Sequence, residues 1–265
     1  MRRTLVVLVV FLIAASPSLS AEILPAFESV YQQISSRFSG RVPSQWGENV
    51  PGVHSRLATD EKVIALTLDA CGSAKGKGVD TALMDFLQRE QIPATLFINA
   101  RWIDANPVLF RRLAANPLFE IANHGLRHKP ASVTGRSVYG VNGTRDLREL
   151  VEEIELNARK IEAITAVRPR WYRSGTAYYD EVAVEVARSL NHDVAGYRVL
   201  GDAGATFSAA QVKAALLSST PGDIILCHMN HPESGTAAGA IAAIPELRKR
   251  GFRFVCLSDY PLRKM

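Results

Sequence analysis

The sequence has few cysteines, no block of basic residues and no hydrophobic run long enough to cross a membrane. Three cysteines, Cys71, Cys227 and Cys256, are too few for the disulfide scaffold of a small secreted domain. The basic pairs are short and isolated and the formal net charge is +5, so nothing indicates a nucleic-acid-binding protein. What remains is a globular chain whose 47% apolar residues suffice for a large core.

The N-terminus has the layout of a secretory signal. Arg2 and Arg3 precede an apolar run from Leu5 to Ala15, and small residues follow it at 18–21. A membrane span needs about 18 consecutive apolar residues, and this run is much shorter. We therefore predict a signal peptide over residues 1–20 and an exported protein, periplasmic or extracellular, with no stable membrane span after cleavage.

The rest of the chain alternates between strand-like and helix-like segments. Short β-rich runs lie at 63–68, 94–98, 119–122, 193–199, 223–227 and 253–257. Amphipathic helix patterns lie between them, at 80–90, 107–115, 146–164, 180–190, 209–218 and 237–250. This alternation predicts an α/β fold with a parallel sheet, either open or closed into a barrel. We expect one domain over residues 61–265, with residues 21–60 as a partly helical N-terminal arm packed on it.

Acidic and histidine side chains follow several of these strands. In parallel α/β folds the ligand site lies beyond the carboxyl ends of the strands. Asp69 ends the first strand, His228 ends a late one, and His124 and His128 follow the strand at 119–122. The four-residue spacing predicts that both imidazoles lie on one face of a helical turn and reach a single divalent ion.

These segments carry a family resemblance. The sequence resembles the polysaccharide deacetylases with a NodB homology domain, carbohydrate esterase family 4, whose five motifs match residues 67–72, 124–128, 171–175, 201–204 and 226–228. The second and fifth motifs are well kept, and the first, third and fourth are altered. The resemblance implies a distorted or incomplete (β/α) barrel that removes N-acetyl groups from a polysaccharide such as peptidoglycan, a chitin-like polymer or poly-N-acetylglucosamine.

The resemblance also implies a metal and a division of roles. One divalent ion, expected to be zinc, would be held by His124 and His128 and would polarise the acetyl carbonyl. Asp69 would be the general base and His228 the general acid that protonates the departing nitrogen.

Supporting roles follow from the same motifs. Arg173 would orient Asp69, and Asp202 would hold His228 in its cationic form. Leu226 would line the pocket for the acetyl methyl group. Tyr178 could stack on the substrate sugar.

One departure leaves the third metal ligand open. The family's second Asp is a ligand, and Ala70 stands at that position. Asp69 could turn to the metal, directly or through a water, which we slightly favour. If the chain bulges by one residue, Cys71 occupies the ligand position, since a thiolate binds zinc well. Asp80 or Asp202 could instead reach in from a neighbouring loop.

Two further alternatives concern the cysteines and the activity. Cys71 and Cys227 both follow strands and could form a disulfide across the site, which would prevent Cys71 from binding metal. The altered motifs also suit a carbohydrate-binding relative without activity. A metal-dependent amidase acting on a small amide is a third hypothesis, against which the signal peptide argues.

Overall fold

The computed structural model describes residues 19–261, and the predicted signal peptide lies almost wholly outside them. The helices are α1 (Leu19–Phe38), α2 (Thr81–Arg89), α3 (Ala100–Ala105), α4 (Pro107–Ala114), α5 (Leu147–Thr165), α6 (Glu181–Ser189), α7 (Ala209–Leu217) and α8 (Thr236–Lys249). The strands are β1 (Trp46–Gly47), β2 (Val53–His54), β3 (Val63–Ala70), β4 (Ala94–Ile98), β5 (Phe119–Asn123), β6 (Trp171–Tyr172), β7 (Tyr179–Asp180), β8 (Asp193–Ala195), β9 (Val199–Leu200), β10 (Ile224–His228) and β11 (Arg253–Val255).

Nine of these strands form one curled sheet. Its order is β2-β8-β6-β5-β4-β3-β10-β9, and every neighbouring pair is parallel. β11 pairs with the first half of β3, whereas β4 pairs with its second half. This is a distorted, incomplete (β/α) barrel, so the predicted fold class is confirmed. β1 and β7 form a separate antiparallel pair.

The alternation of side chains along β3 decides what reaches the barrel interior. Successive residues of a strand point to opposite faces of the sheet. Val63 and Ala65 belong to the apolar cluster inside the barrel, together with Phe97 and Trp171. Ile64, Leu66, Leu68 and Ala70 belong to the outer cluster beneath the helices. Asp69 has the same parity as Val63 and Ala65, so it faces the interior at the carboxyl end of the strand.

The outer helices form two groups on the sheet. α2, α3, α4, α7 and α8 bury their apolar faces in the outer cluster that contains Leu68 and Ala70, and α1, α5 and α6 contribute to a second cluster. In α2, Asp80 accepts a hydrogen bond from the backbone N–H of Leu83, and Leu87 is among the buried side chains. Burial of one such side chain stabilises the fold by about 1.5–3 kcal/mol. The periodicity that predicted these helices is therefore the pattern that packs them.

The N-terminal segment wraps one side of the barrel. α1 packs against α5 and α6 and buries Phe27, Ile34 and Phe38. The chain then supplies β1 to the antiparallel pair and β2 to the edge of the large sheet. In the part of the chain that the structure covers, no helix is long and apolar enough to span a membrane.

The predicted strand at 193–199 is wrong as a single strand, because it is divided into β8 and β9. Between the two, the backbone carbonyl of Gly196 accepts a hydrogen bond from the Arg173 guanidinium at 2.8 Å. The predicted strand at 253–257 also ends early, at Val255, and a short 3-10 helix follows at Leu257–Asp259.

Candidate active site

A cavity of about 530 Å³ lies at the carboxyl ends of the central strands. Its wall combines acidic, histidine, cysteine, aromatic and small residues: Glu48, Asp69, Cys71, Ser73, His128, Tyr139, Gly175, Thr176, Ala177, Tyr197, Leu200, Ala203, Gly204, Leu226, His228 and His231. Asp69, Cys71, His128, Leu226 and His228 of the predicted site are thus brought to one cavity.

Cys71, His124 and His128 form a compact cluster. One potential ligand atom of each lies within 4.8 Å of the other two, and the cluster is the one group of this kind found among the residues described. The Cys71 Sγ lies 3.9 Å from His124 Nε2. The two imidazole rings are 4.8 Å apart between centroids and nearly perpendicular. Thiolate and imidazole are the ligands that zinc prefers in proteins, so the donor set fits such an ion.

Each of the two histidines turns one ring nitrogen to the cluster. His124 Nδ1 lies 3.0 Å from the carbonyl oxygen of Arg173, which can only accept, so Nδ1 carries a proton and Nε2 is the nitrogen that faces Cys71 and Asp69. His128 Nε2 is buried and has no hydrogen-bond partner among residues 19–261. A buried nitrogen without a partner is costly unless a ligand satisfies it. Metal-binding histidines typically bond one ring nitrogen to the protein, as His124 does through Nδ1.

The predicted helical turn at His124–His128 is wrong. Residues 124–128 form a bent loop, and His128 has a left-handed backbone with φ of 62°. The buried Glu153 carboxylate accepts hydrogen bonds from the backbone N–H groups of Arg127 and Lys129, which holds the loop in this shape. Gly175 is pressed against the same loop, because a Cβ there would lie 2.3 Å from the carbonyl carbon of His128.

Asp69 is held by a fully buried arginine. Arg173 Nη1 donates to Asp69 Oδ1 at 2.7 Å and to Thr67 Oγ1 at 2.8 Å. Its other nitrogens donate to the carbonyl oxygens of Ala195 and Gly196. The second oxygen of Asp69 lies 3.5 Å from His124 Nε2. Asp69 therefore lies beside the cluster, and Arg173 fixes its orientation.

His228 is fixed by Asp202 in a similar way. Asp202 Oδ1 lies 2.9 Å from His228 Nδ1, and Oδ2 accepts from the His228 backbone N–H at 2.7 Å and from Thr236 Oγ1 at 2.9 Å. Burial lowers the pKa of His228, but its bond to Asp202 and the nearby Cys71 outweigh burial and raise it well above its usual value. Burial raises the pKa of Asp202, but its bond to His228 lowers it overall. The pair favours a protonated imidazole.

The cluster also has a marked electrostatic character. Burial raises the pKa of the Cys71 thiol, but the field of His128 and the neighbouring imidazoles outweigh it and hold the pKa well below its usual value. Burial lowers the pKa of His124, while Asp69 and Cys71 raise it overall. The same negative field that binds a proton at His124 attracts a cation.

Ala70 stands where the family has its second Asp, and the path of the chain decides which residue reaches the cavity instead. Ala70 is fully buried in the outer apolar cluster and does not face the cavity. Cys71 follows it and lines the cavity instead. Gly72 then adopts φ of 68°, and a Cβ there would lie 2.5 Å from the backbone nitrogen of Trp102. β3 stays in regular register through Ala70, so the one-residue bulge considered from the sequence is not needed: strand alternation already turns Asp69 and Cys71 to the cavity and Ala70 away from it.

Asp80 and Asp202, the alternative acidic ligands, lie outside the cluster, and the disulfide considered between Cys71 and Cys227 is not formed. Asp80 caps α2, and Asp202 is bound to His228, so neither belongs to the cluster. Cys71, Cys227 and Cys256 all have free thiols. Cys227 is paired in register with Leu68 and packs in the outer apolar cluster, on the other face of the sheet from Asp69.

Tyr178, which the sequence suggested for stacking on the substrate sugar, does not line the cavity. Its ring supports that of Tyr139 edge-on at 5.5 Å between centroids, and Trp46 packs against it at 5.8 Å. Tyr139 is 72% exposed at the rim. Tyr139, Tyr197 and Glu48 were not found from the sequence, because they lie in loops and in the arm without a motif around them.

Comparison with known proteins identifies the family. The family model for polysaccharide deacetylase matches residues 56–195. Since this is more than half of the chain, the protein belongs to the polysaccharide deacetylase family, carbohydrate esterase family 4.

Three relatives show the range of this similarity. A peptidoglycan-N-acetylglucosamine deacetylase from Bacillus cereus is 24% identical over 212 residues, covering 77% of this chain and 90% of that protein. A CE4 family pseudoenzyme from Bacillus anthracis superposes with a TM-score of 0.66 at 20% identity, covering 80% of this chain and 69% of that one. A family 4 acetyl xylan esterase from Clostridium thermocellum, in complex with a cobalt ion, gives a TM-score of 0.61 at 21% identity, covering 75% and 89%. At these identities the structures share the fold.

Proposed function

We propose that the protein is a metal-dependent hydrolase that removes N-acetyl groups from a cell-wall or extracellular polysaccharide. The observation that carries this proposal is the convergence of three different groups on one cavity. They are the Asp69 carboxylate, the metal-suited cluster around His124 and His128, and the His228 imidazole held by Asp202. Amide hydrolysis needs these components: a base for water, an electrophile for the carbonyl oxygen, and an acid for the departing amine.

The residues divide the reaction as follows. A bound divalent cation would supply Lewis-acid polarisation of the acetyl carbonyl. Asp69 takes a proton from water while the water oxygen forms a bond to the acetyl carbon. The carbon–nitrogen bond then breaks, and His228 donates its proton to the nitrogen, which leaves acetate and a free amine. Arg173 and Asp202 touch no substrate in this scheme; they position Asp69 and His228.

The shape and charge of the cavity support a neutral N-acetylated sugar as the substrate. Leu226 offers an apolar surface beside His228 that suits the acetyl methyl group, and Tyr139 offers an exposed ring at the rim. Aromatic rings commonly give rigid, amphipathic contact surfaces. No Lys or Arg is among the described residues that line the cavity. The substrates we propose are therefore peptidoglycan, chitin-like polymers and poly-N-acetylglucosamine, met after export through the predicted signal peptide.

Acetate release tests the proposal. The wild-type protein, loaded with zinc, should release acetate from at least one of the three polymers. His124→Ala should bring the rate to that of the polymer without enzyme, because it removes a cluster nitrogen and the contact with Asp69. His54→Asn is the matched control, since His54 lies on β2 and packs on Trp171 away from the cavity. Unchanged acetate release by His124→Ala would contradict the proposal.

A second candidate is a carbohydrate-binding protein without catalytic activity. Ala70 at the position of a family ligand favours it, and the similar protein from Bacillus anthracis is described as a pseudoenzyme. The same assay decides between the two. Binding of N-acetylated oligomers with no acetate release from the zinc-loaded protein would support this second candidate.

A further inference from the structure

We propose that Cys71 is the third protein ligand of the metal, so that the centre is a cysteine–histidine–histidine site with a thiolate in place of a carboxylate. This inference rests on the proposed function for the presence of a metal at His124 and His128. It goes further in assigning the ligand that the family pattern leaves unfilled. It also assigns the metal class, a borderline or soft divalent ion such as zinc or cobalt.

The distances within the cluster suit a tetrahedral ion. Zinc bonds of about 2.0–2.1 Å to nitrogen and 2.3 Å to sulfur place a sulfur and a nitrogen ligand about 3.6 Å apart. The Cys71 Sγ and His124 Nε2 are 3.9 Å apart, and all three ligand atoms lie within 4.8 Å. Small rotations of the side chains suffice to close the site around an ion.

The backbone directs Cys71 into this position. Ala70 ends β3 with its methyl group in the outer apolar cluster, so the next residue is the one that turns toward the interior. Gly72 supplies a left-handed conformation and lies tightly against the start of α3. A Cβ added at this position would lie only 2.5 Å from the Trp102 nitrogen. The Gly72 N–H also donates to the Gly76 carbonyl oxygen at 3.0 Å. Cys71 is thus held by the chain on both sides.

The other candidate ligands have different partners. Asp69 is oriented by Arg173 through a 2.7 Å bond and is outside the three-residue ligand group. Asp202 binds His228 and Thr236 with its two oxygens. Asp80 caps a helix. With Cys71 as a ligand, Asp69 stays available as the base.

A thiolate ligand changes which metals the site accepts. Thiolates favour zinc, cobalt and similar ions, whereas magnesium and calcium require oxygen ligands. The site should therefore bind zinc and cobalt and should not bind magnesium or calcium. A site with a carboxylate in place of the Cys71 thiolate would discriminate less strongly between these two groups of metals.

The test is cobalt absorption spectroscopy on the full protein after removal of metal by a chelator. Cobalt(II) added to the wild-type protein should give a thiolate-to-cobalt charge-transfer band in the near ultraviolet at one ion per chain. Cys71→Asp should bind one cobalt without this band. Cys71→Ala should bind cobalt at least about 100-fold more weakly. Loss of a residue that only supports a metal ligand already lowers metal affinity by about 10–100-fold.

Controls separate the ligand from the other thiols and from misfolding. Cys256→Ala should keep the band, since Cys256 contacts the carbonyl oxygens of Ala94 and Leu118 at the far end of the strands. Circular dichroism of each variant checks that it is folded. A folded wild-type protein that binds cobalt without the band, or a Cys71→Asp variant that keeps it, overturns the assignment.

The outcomes also distinguish this inference from the proposed function. Cobalt binding with acetate release but no charge-transfer band overturns Cys71 as a ligand and leaves the hydrolase intact. A band without acetate release supports the ligand and overturns the hydrolase. Failure of the folded wild-type protein to bind zinc or cobalt overturns both.

Discussion

At the scale of single residues, the candidate site depends on two side chains, Asp69 and His228, whose orientations are fixed by buried charged partners. Arg173 is fully buried and donates four hydrogen bonds, to Asp69, Thr67 and two backbone carbonyl groups, with its guanidinium 4.2 Å from the centre of the Phe97 ring. Asp202 does the same for His228. A planar guanidinium is well suited to such fixed geometry. The orientations of Asp69 and His228 are therefore fixed by the protein itself.

Replacement of Asp202 tests the orientation and charge of His228. Asp202→Asn keeps the size of the side chain but removes the negative charge that raises the pKa of His228. We expect kcat/KM to fall by up to about 100-fold, the lower end of what acid catalysis contributes. With its pKa lowered, His228 loses its proton at a lower pH, so the alkaline limb of the pH profile should move to lower pH. Steady-state acetate release measured across pH gives both values.

Asp104→Asn is the control for this prediction, because Asp104 is exposed and pairs with Lys160 on the surface. It should leave the profile unchanged. An Asp202→Asn enzyme that is slower at every pH but has an unmoved alkaline limb would mean that Asp202 has only a structural role.

Residue identity alone indicated which residues meet near the cavity, and it left the third metal ligand open between Asp69, Cys71 and other acids. Asp69, His124, His128, Arg173, Asp202 and His228 all lie at or beside the cavity, because they follow strands of one parallel sheet. The third ligand could not be read from the sequence, since it depends on whether Ala70 faces the helices or the interior. The strand continues regularly through Ala70, so Ala70 faces the helices and Cys71 turns to the interior, and Gly72 then packs on α3.

At the scale of elements, the loop between β5 and α5 is shaped by contacts from distant parts of the chain. Glu153 on α5 holds its backbone N–H groups, and Asn99 donates to the carbonyl oxygens of His124 and Gly125 at 3.0 and 2.7 Å. Gly175, after β6, closes on His128 from the other side. The histidine spacing predicted a helical turn, which was wrong because these partners are remote in sequence and supply the hydrogen bonds that a helix would otherwise provide.

A methyl group at Gly175 should weaken the metal site without touching it. In Gly175→Ala the new Cβ would meet the carbonyl of His128 at 2.3 Å, so the loop must shift. We expect cobalt or zinc affinity to fall by about 10–100-fold, as when a supporting partner is lost. Isothermal titration calorimetry with the metal-free protein measures the change.

Gly47→Ala serves as the control, because no atom lies within 4 Å of a Cβ added there. Equal metal affinity of Gly175→Ala and the wild-type protein would show that the loop is not positioned by this contact.

The elements themselves were largely predictable, and the exceptions share a cause. The periodic helices and the long strands β3, β4, β5 and β10 lie within a few residues of their predicted bounds, because their side-chain pattern is also their packing pattern. The two-residue strands β1, β2, β6 and β7 were missed, since two residues show no periodicity. α3, a six-residue helix, was missed for the same reason.

At the scale of the whole molecule, stability should fall in acid because of a buried histidine. Burial is the largest cause that lowers the pKa of His192, and the charge of Arg168 adds to it, giving a value of about 3. An unfolded histidine has a pKa of about 6.5. As the pH falls, the unfolded chain gains this proton first, so stability is lost between about pH 6.5 and pH 3, by up to about 1.4 kcal/mol per pH unit.

Urea unfolding at neutral and at mildly acidic pH tests this effect. His192→Gln should be less stable than the wild-type protein at neutral pH, because the packing of the ring beside Tyr172 is lost. It should, however, lose less stability on acidification. If the two proteins lose the same free energy of unfolding on acidification, the acid sensitivity comes from other groups.

The path of the N-terminal arm has a practical consequence for anyone who trims this protein. The family match begins at residue 56, yet Glu48 on the arm lines the cavity and α1 covers α5 and α6. A truncation designed on the family boundary would keep Asp69, the cluster and His228 but would remove part of the cavity wall. Expression from the predicted signal cleavage point onward keeps the cavity whole.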